Sequence, residues 1–542
     1  MERECAADLI LLNGKVITVD KENRVAKAVA IKGNRILRVG NNSEVKRTAG
    51  SGTKIIDLKG LTVIPGLIDS HMHPGGSWGA YLVRGVACGP NFTIDEMLGV
   101  VRDKAKETPP GNWILGYMMD DVKMGRYPTK MELDQVSTKN PLYIQRRDGH
   151  NGVANSLALE LSGVTKNTPD PEHGKIERDA DGEPNGLLRE AAKDLVYHKM
   201  PPYTEEEFYR GLQLVYDECI SLGLTSIHAS MVCPAEFRAM QRLKREGKLK
   251  VRTAVHLSGR DQGMVESAIA LGLQTPFGDD WLKITEAEWV FDTSTSGRTA
   301  AYYKPYVDEP ENMGILLYDQ DDITKRVTET HKAGIRVGLD GVGDRGIDRA
   351  LDAIEAALNE DPREDHRHRI EHCCAVTPSI LNRLKKLGVI DASATGFLYD
   401  LGDAYLKNRG PAEMRNMWPH RSLIDQGIPS PGHSDASICS PNPWLGIYSM
   451  VTRKTSSGQV LCKGEAIKPI EAVRAYTIDG AYAAWEEKLK GSIEPGKLAD
   501  LVILDRNPLR ISREDLKNVL TIMTIIDGKI VYGEPGLGTR SE

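Results

Sequence analysis

From about residue 200 onward the chain alternates between amphipathic helical stretches and short apolar strands, and this rhythm limits its fold more than any other feature. "TEEEFYRGLQLVYDECISLG" puts Phe208, Leu212, Val215, Cys219 and Leu222 at helical spacing, with Thr204 and Glu207 placed as a capping box. The strand "TSIHAS" follows, then helix "PAEFRAMQRLKREG", strand "VRTAVHL", helix "GMVESAIALGL", a strand near "AEWVFD", helix "DITKRVTETHKAG" and strand "IRVGLD". Helix "IDRALDAIEAALNE", strand "HRIEHC", helix "TPSILNRLKKLG", strand "VIDASAT", a helix around "RSLIDQG" and strand "IPSPGHSD" continue the pattern. Counting a first strand at residues 63–73, the chain has eight strands. Eight strands alternating with helices predict an α/β protein with a TIM-type (β/α)8 barrel, a doubly wound open sheet being the alternative.

The two chain ends read differently. Residues 6–62 and the tail segments "GKLADLVILDRNPL" and "VLTIMTIIDGKIVYG" alternate apolar and polar residues between Gly and Asn turns. That alternation predicts antiparallel strands, folded together as a small β-sandwich that brackets the barrel. The expected division is 1–62 and 490–542 for the two parts of the β-domain and 63–489 for the barrel. A long insertion after the first strand, residues 76–200, ends in the Pro-, Asp- and Gly-rich "NTPDPEHGKIERDADGEPNG". Insertions on the catalytic side of such barrels commonly cap the site.

Composition narrows the function. The 542 residues carry a formal net charge of -6, which leaves no basic surplus to neutralise nucleic-acid phosphates. A hydrophobic fraction of 40% and a charged fraction of 27% describe a globular α/β chain. No apolar run reaches the roughly 18 residues of a membrane span. "MERECAADLILLNGK" carries too short an apolar run for a signal peptide, so a cytoplasmic location is the expectation. The eight cysteines, including Cys5 and the pair Cys373 and Cys374, show no C-x-x-C spacing and read as reduced thiols, not as a disulfide framework.

Chemistry enters at "VIPGLIDSHMHPGG", residues 63–76. On a strand His71 and His73 emerge on one face with Met72 on the other, so the two imidazoles can share one metal ion. The apolar approach suits a strand buried on both faces, and Pro74-Gly75-Gly76 ends it. This places the pair at the carboxyl end of the strand, where α/β folds carry their chemistry. Across the other strand ends stand His228, His256, Glu288, Asp340, His372 and Asp435. A two-metal site needs four to six nitrogen or oxygen donors, and this ring supplies them. His228 and His256 read first as core histidines and second as substrate contacts.

The segments "IPGLIDSHMH", "RIEHC", "GHSD" and "KGSIEPGKLADLVILDRNPL" resemble the amidohydrolase superfamily, and "NWILGY", "RDGHNGVANSLALELSGVT", "GEPNGLLREAA", "SGRTAAYY" and "AVRAYTIDGAYAAW" resemble its amidohydrolase-3 branch over nearly the whole chain. The resemblance implies a barrel hydrolase with one or two divalent metals, acting mostly on carbon–nitrogen bonds other than those of peptides. It also implies metal ligation by His71, His73, His372 and Asp435, with Asp435 accepting a proton from the water that the metal activates. Two positions depart from the branch. Where a lysine capable of carboxylation is usual, anchoring on "SGRTA" and Asp292 gives Glu288, with Lys283 five residues upstream in an alternative register. Where histidine is usual before "GDR", this chain has Asp340, either a ligand or a group that orients a neighbouring ligand. Carboxylates at both places harden the donor set and favour manganese, magnesium or iron somewhat relative to zinc; one or two divalent ions are expected, zinc or manganese first, with iron and magnesium as alternatives.

These residues predict a metal-dependent hydrolase that attacks a carbonyl of a small molecule, most readily an amide, formamide or lactam. Asp435 serves as the proton carrier and His150, in "RRDGHN", as a hydrogen-bond donor from the cap; a purely loop-holding His150 is the alternative. Arg147, Arg298 and Arg345 are candidate contacts for an acidic or polyoxygenated substrate group, or else scaffold ion pairs. Two other functions stay open from sequence. One is hydrolytic C–C ring opening of a cyclic 1,3-diketone, resembling a dihydrophloroglucinol cyclohydrolase. The other is a barrel that binds small molecules without turning them over. Relatives of the branch often assemble as homo-oligomers, although no oligomer motif is visible here.

Overall fold

The computed structural model describes residues 6–89, 92–261 and 263–533; Cys5 lies outside them. Seven strands pair side by side in parallel: β1 (Leu67–Met72), β2 (Leu224–Val232), β3 (Arg252–Ser258), β4 (Leu282–Trp289), β5 (Val337–Gly341), β6 (Arg369–His372) and β7 (Ile390–Ser393). Each connection from β2 to β7 carries a helix: α2 (Pro234–Arg245), α3 (Met264–Ala270), α4 (Gln320–Lys332), α5 (Asp344–Glu360) and α6 (Pro378–Leu387). α1 (Glu205–Ser221) leads into β2.

Residues 428–435, expected as the eighth strand, are instead an irregular segment that sits in the eighth position. Asp391 N donates to Pro429 O and Ser393 N to Pro431 O on one side, while Ser70 N donates to Gly432 O on the other. Pro429 and Pro431 have no N–H, so the segment accepts from both neighbours without completing a regular ladder. The result is a nearly closed parallel barrel of TIM type. Two other expectations shift. The fourth strand starts at Leu282 and ends at Trp289, so Phe291 and Asp292 of "AEWVFD" lie beyond it. The apolar run at 63–73 is two strands: Thr62–Pro65 joins a terminal sheet, and the chain crosses into β1 at Gly66. A side chain there has no room, since a Cβ would stand 2.0 Å from Thr225 Oγ1.

The barrel strands are buried on both faces, with opposite chemistry. Met72, Ile227, Val255, Ala287, Leu339 and Ile370 face outward into the main apolar core shared with the helices. Between them, His71, His228, His256, Glu286, Glu288, Arg369 and Glu371 point inward, each at most 1% exposed. α1 shows the local code at work. Glu207 N donates to Thr204 Oγ1 at 3.2 Å and Thr204 N to Glu207 Oε2 at 2.8 Å, and Phe208, Leu212, Val215 and Cys219 are buried. Thr204→Ala removes one side of this box and is expected to lower stability by about 1 kcal/mol, read as a shift in the unfolding midpoint.

The chain ends form two sheets. One runs Arg35–Gly40, Ala28–Lys32, Ala7–Leu12, Ala49–Asp57; the other runs Lys529–Tyr532, Thr521–Ile526, Leu501–Leu504, Thr62–Pro65, Lys15–Ile17, Val25–Ala26. Leu11, Val29, Val63, Ile503 and Met523 share one core between them. The expectation of purely antiparallel pairing is corrected at two places. Ala7–Leu12 pairs in parallel with Ala49–Asp57, and Lys15–Ile17 with Thr62–Pro65. In the first case the helix Asn42–Lys46 supplies the crossover that a parallel return requires.

The insertion after β1 builds a separate mixed sheet in the order Gly174–Arg178, Pro184–Glu190, Asn151–Ala154, Leu142–Arg146, Ile114–Met119, Val86–Ala87. Among the described residues, no helix is long and apolar enough to cross a membrane.

Candidate metal centre

His71 ends the inward face of β1, and His73 follows one residue past the strand. Asp435 Oδ1 lies 3.0 Å from His73 Nε2 and 3.5 Å from His71 Nε2. His71, His372 and Asp435 each bring one ligand atom within 4.8 Å of the others. His372 Nε2 is in turn 3.7 Å from Asp340 Oδ2, at the end of β5. Alternation alone would send His372 to the outward face, since Arg369 and Glu371 point inward. Its positive φ of 67° turns the side chain back into the barrel mouth, and Asp435 does the same with φ 56°.

Glu288 stands at the end of β4 and forms a second donor group with His71 and His256. Its Oε1 accepts from Ser230 Oγ at 2.6 Å, and its Oε2 is 2.9 Å from His256 Nδ1. Lys283 is at the other end of the strand, with Nζ 2.5 Å from Glu486 Oε1. Five residues at about 3.3 Å each separate it from the mouth by roughly 16 Å, so Glu288 and not Lys283 faces the site.

The donors are arranged as a cation requires. His71 Nε2, Asp340 Oδ1 and His372 Nδ1 are buried without a hydrogen-bond partner among the described residues. Burial, reinforced by Asp340 and Glu286, pushes the Glu288 carboxyl up to about 8. Burial holds the His71 imidazole well below its ordinary pKa and therefore neutral, the form that ligates. For His372, burial is outweighed by Asp435 and Asp340, which lift the ring to about 9. Crowded carboxylates and imidazoles that stabilise one another's protons are what a divalent ion displaces and neutralises. From below, His71 Nδ1 is 2.8 Å from Glu371 Oε2, which also accepts from Arg369 Nη2 at 2.7 Å. A carboxylate on Nδ1 fixes the ring so that Nε2 is the free ligand atom.

Above the donors the cap closes a cavity of about 30 Å³, the space of one water molecule, lined by Asp340, His372 and Asp435 below and His150, Thr293, Ser294, Phe397, Leu401, Tyr405 and Ile438 around it. Phe397 stacks on His372 at 5.3 Å between ring centroids. Asp292, the aspartate of the anchoring motif, braces the rim: it accepts from Val342 N at 2.6 Å, Gly343 N at 2.8 Å and Ala301 N at 3.0 Å. His150 lies 3.0 Å through Nδ1 from Glu190 Oε2.

The three arginines expected at the substrate are tied into the scaffold instead. Arg147 is 4% exposed and donates to Ile438 O at 2.8 Å and to Asp120 Oδ2 at 3.2 Å. Arg298 pairs with Glu309 at 2.5 Å, and Arg345 donates to Met313 O and Gly314 O, both at 3.1 Å. Among the described residues, none of the three lines the cavity. The carbonyls that take Arg147 and Arg345 lie on loops 291 and 31 to 32 residues away, which no local pattern signals. His228 fits its reading as a core histidine, its Nδ1 accepting from Arg369 Nη1 at 3.0 Å.

Several residues of the site escaped sequence reasoning: Glu371 and Arg369 beneath His71, Ser230 on Glu288, Glu190 on His150, and His433, fully buried with its ring 5.0 Å from that of His71. The available signal was "RIEHC", in which opposite charges two residues apart on a buried strand must share the barrel interior.

Comparison with known proteins agrees with this geometry. Residues 54–532 match the amidohydrolase family. The chain is 31% identical to N-substituted formamide deformylase of Arthrobacter pascens over 98% of its own length and 99% of the other, and 30% identical to Protein LONG AFTER FAR-RED 3 of Arabidopsis thaliana over 97% and 92%. The crystal structure of an uncharacterized metal-dependent hydrolase from Pyrococcus horikoshii OT3 superposes with a TM-score of 0.76 at 25% identity, covering 93% of this chain and 99% of that one. The chain belongs to the amidohydrolase family and is a metal-dependent hydrolase.

Proposed function

We propose that the protein hydrolyses a non-peptide C–N bond in a small neutral amide, with an N-substituted formamide as the leading class. The observation that carries this reading is the meeting of His71, His73, His372 and Asp435 with Glu288 and Asp340 at the barrel mouth, under a mainly polar cavity with Phe397, Leu401 and Ile438 among its walls and no arginine. Similarity to a formamide deformylase over the full length supports the bond type. His71, His73, Glu288, Asp340, His372 and Asp435 would hold one or two divalent cations. Three imidazoles and three carboxylates suit zinc or manganese.

A bound cation supplies Lewis acidity, acidifying a water and polarising the substrate carbonyl. The chain's residues do the rest. Asp435 takes a proton from the attacking water as the C–O bond forms and the carbonyl π pair moves to oxygen, then returns it to the nitrogen as C=O re-forms and the C–N bond breaks, so the amine leaves neutral. His150 faces the same cavity from the cap and hydrogen-bonds the substrate. Phe397, Leu401 and Ile438 exclude bulk water and accept the apolar substituent.

Metal removal tests the reading. Dialysis against a chelator is expected to lower turnover of N-butylformamide at least about 100-fold, and zinc or manganese to restore it with one to two ions per chain. Stoichiometric release of butylamine and formate identifies the bond cleaved. Full turnover by metal-free protein would overturn the metal reading, and turnover confined to cyclic diketones with no amine release would overturn the bond assignment.

A further inference from the structure

The cap meets the barrel at a strained glutamate. Glu190 ends the cap strand Pro184–Glu190 with φ 46° and ψ -126°, a conformation that side chains rarely adopt, and it is only 2% exposed. One carboxylate oxygen is 3.0 Å from His150 Nδ1 and the other accepts from Thr293 Oγ1 at 3.1 Å, on the barrel rim beyond β4. Thr299 Oγ1 lies 2.9 Å from Thr293 Oγ1 and also hydrogen-bonds the Glu190 carboxylate. The backbone is tied in as well, since Glu190 N donates to His150 O at 2.8 Å and His150 N to Asp148 Oδ1 at 3.1 Å. Asp148 in turn accepts from Ser294 Oγ of the rim at 2.7 Å. A glutamate that served only to join cap and rim would need no imidazole on its second oxygen.

We infer that Glu190 is a positioning residue that fixes His150 as its Nδ1–H tautomer, with Nε2 turned to the cavity, and does so only while the cap is seated on Thr293. The chemistry follows from the acceptor. A carboxylate offers no proton, so the shared hydrogen sits on His150 Nδ1 and leaves Nε2 as the atom for the substrate. A neutral His150 therefore accepts a substrate N–H through Nε2, and only a doubly protonated ring donates there. This refines the donor role expected from sequence and favours an amide that still carries a hydrogen on nitrogen. The Glu190–Thr293 bond ties this positioning to the contact between cap and rim. The inference rests on the placement of His150 at the substrate proposed above.

The test uses the zinc-loaded holoenzyme with N-butylformamide and N-butyl-N-methylformamide, and ring 15N shifts of His150 assigned by comparison with His150→Ala. In Glu190→Gln, an amide NH2 turned to His150 Nδ1 makes that nitrogen an acceptor and moves the ring proton to Nε2. The expected results are an Nδ1–H ring in wild type and an Nε2–H ring in Glu190→Gln. In that variant kcat should fall about 10–100-fold with KM within about threefold, and Thr293→Val should show a loss of about 3–10-fold. His150→Ala/Glu190→Gln should fall no further than His150→Ala alone. The wild-type preference for the secondary over the tertiary formamide should shrink in both single variants. An Nε2–H ring in wild type, or wild-type kcat in Glu190→Gln when His150→Ala is impaired, overturns the inference. Unimpaired His150→Ala instead removes the substrate-facing role and the inference with it. If neither formamide is turned over, the 15N shifts alone decide on the positioning role, while the substrate reading falls separately.

Discussion

Asp435→Asn is expected to lower kcat about 1,000-fold or more while leaving the unfolding midpoint nearly unchanged. The carboxylate is the group that both approaches His71 and His73 and faces the cavity, so on the proposed mechanism the amide removes the proton acceptor and weakens one ligand together. The fold tolerates the change for two reasons. Asp435 is anchored by its backbone, N donating to His71 O at 3.0 Å and O accepting from Ile438 N at 2.7 Å. Its φ of 56° is one that asparagine adopts as readily as aspartate. Turnover, metal content and thermal unfolding measured on the same preparation separate the roles. A variant with wild-type kcat would remove Asp435 from the chemistry, whereas lost activity with full metal occupancy assigns it to proton transfer.

Arg369→Met is expected to cost about 3–5 kcal/mol of stability, the largest loss anticipated for a single substitution away from the ligands. The guanidinium is fully buried inside the barrel, where it donates to Glu371 Oε2 at 2.7 Å, Ser70 O at 2.8 Å and His228 Nδ1 at 3.0 Å and stands 3.8 Å from Glu286. Methionine fills much of the volume but leaves the Glu371 carboxyl, which burial pushes up to about 8, and a strand carbonyl without their donor in a water-free interior. Glu371→Gln in the same chain should recover part of the loss, because its amide brings a donor of its own. Since Glu371 also holds His71 Nδ1, the single variant should bind metal about 10–100-fold more weakly. Urea unfolding midpoints together with metal titration check both effects; an unchanged midpoint would show that the interior network carries little net stability.

Legibility in the sequence followed the range of the interaction. The capping box at Thr204 and Glu207 and the buried face of α1 lie within a few turns of one another, and the structure forms the box as read and buries the face except Leu222, which caps the helix half-buried. His71 and His73 were also legible, because strand alternation is local. The eighth strand was misread since prolines at 429 and 431 interrupt the ladder without breaking the apolar pattern. His372 was legible as a strand-end residue and took its ligand role from the resemblance; the positive φ that returns it to the mouth is a backbone choice at the end of the strand.

The arginines mark the limit most clearly. Arg147 sits next to Asp148 and His150 in a segment that does line the site, yet its guanidinium is spent on Ile438 O, 291 residues away. What the sequence determined alone was the alternation of helix and strand, the apolar outward faces and the supply of imidazole and carboxylate donors near the strand ends. Tertiary structure decided which donors meet, which are consumed by partners such as Ser230, Arg369 and Glu190, and which remain open to a cation. The physical reason is that propensity and periodicity act over a few residues, whereas ligation and charge pairing depend on distances that exist only once the barrel brings remote segments within a few ångströms.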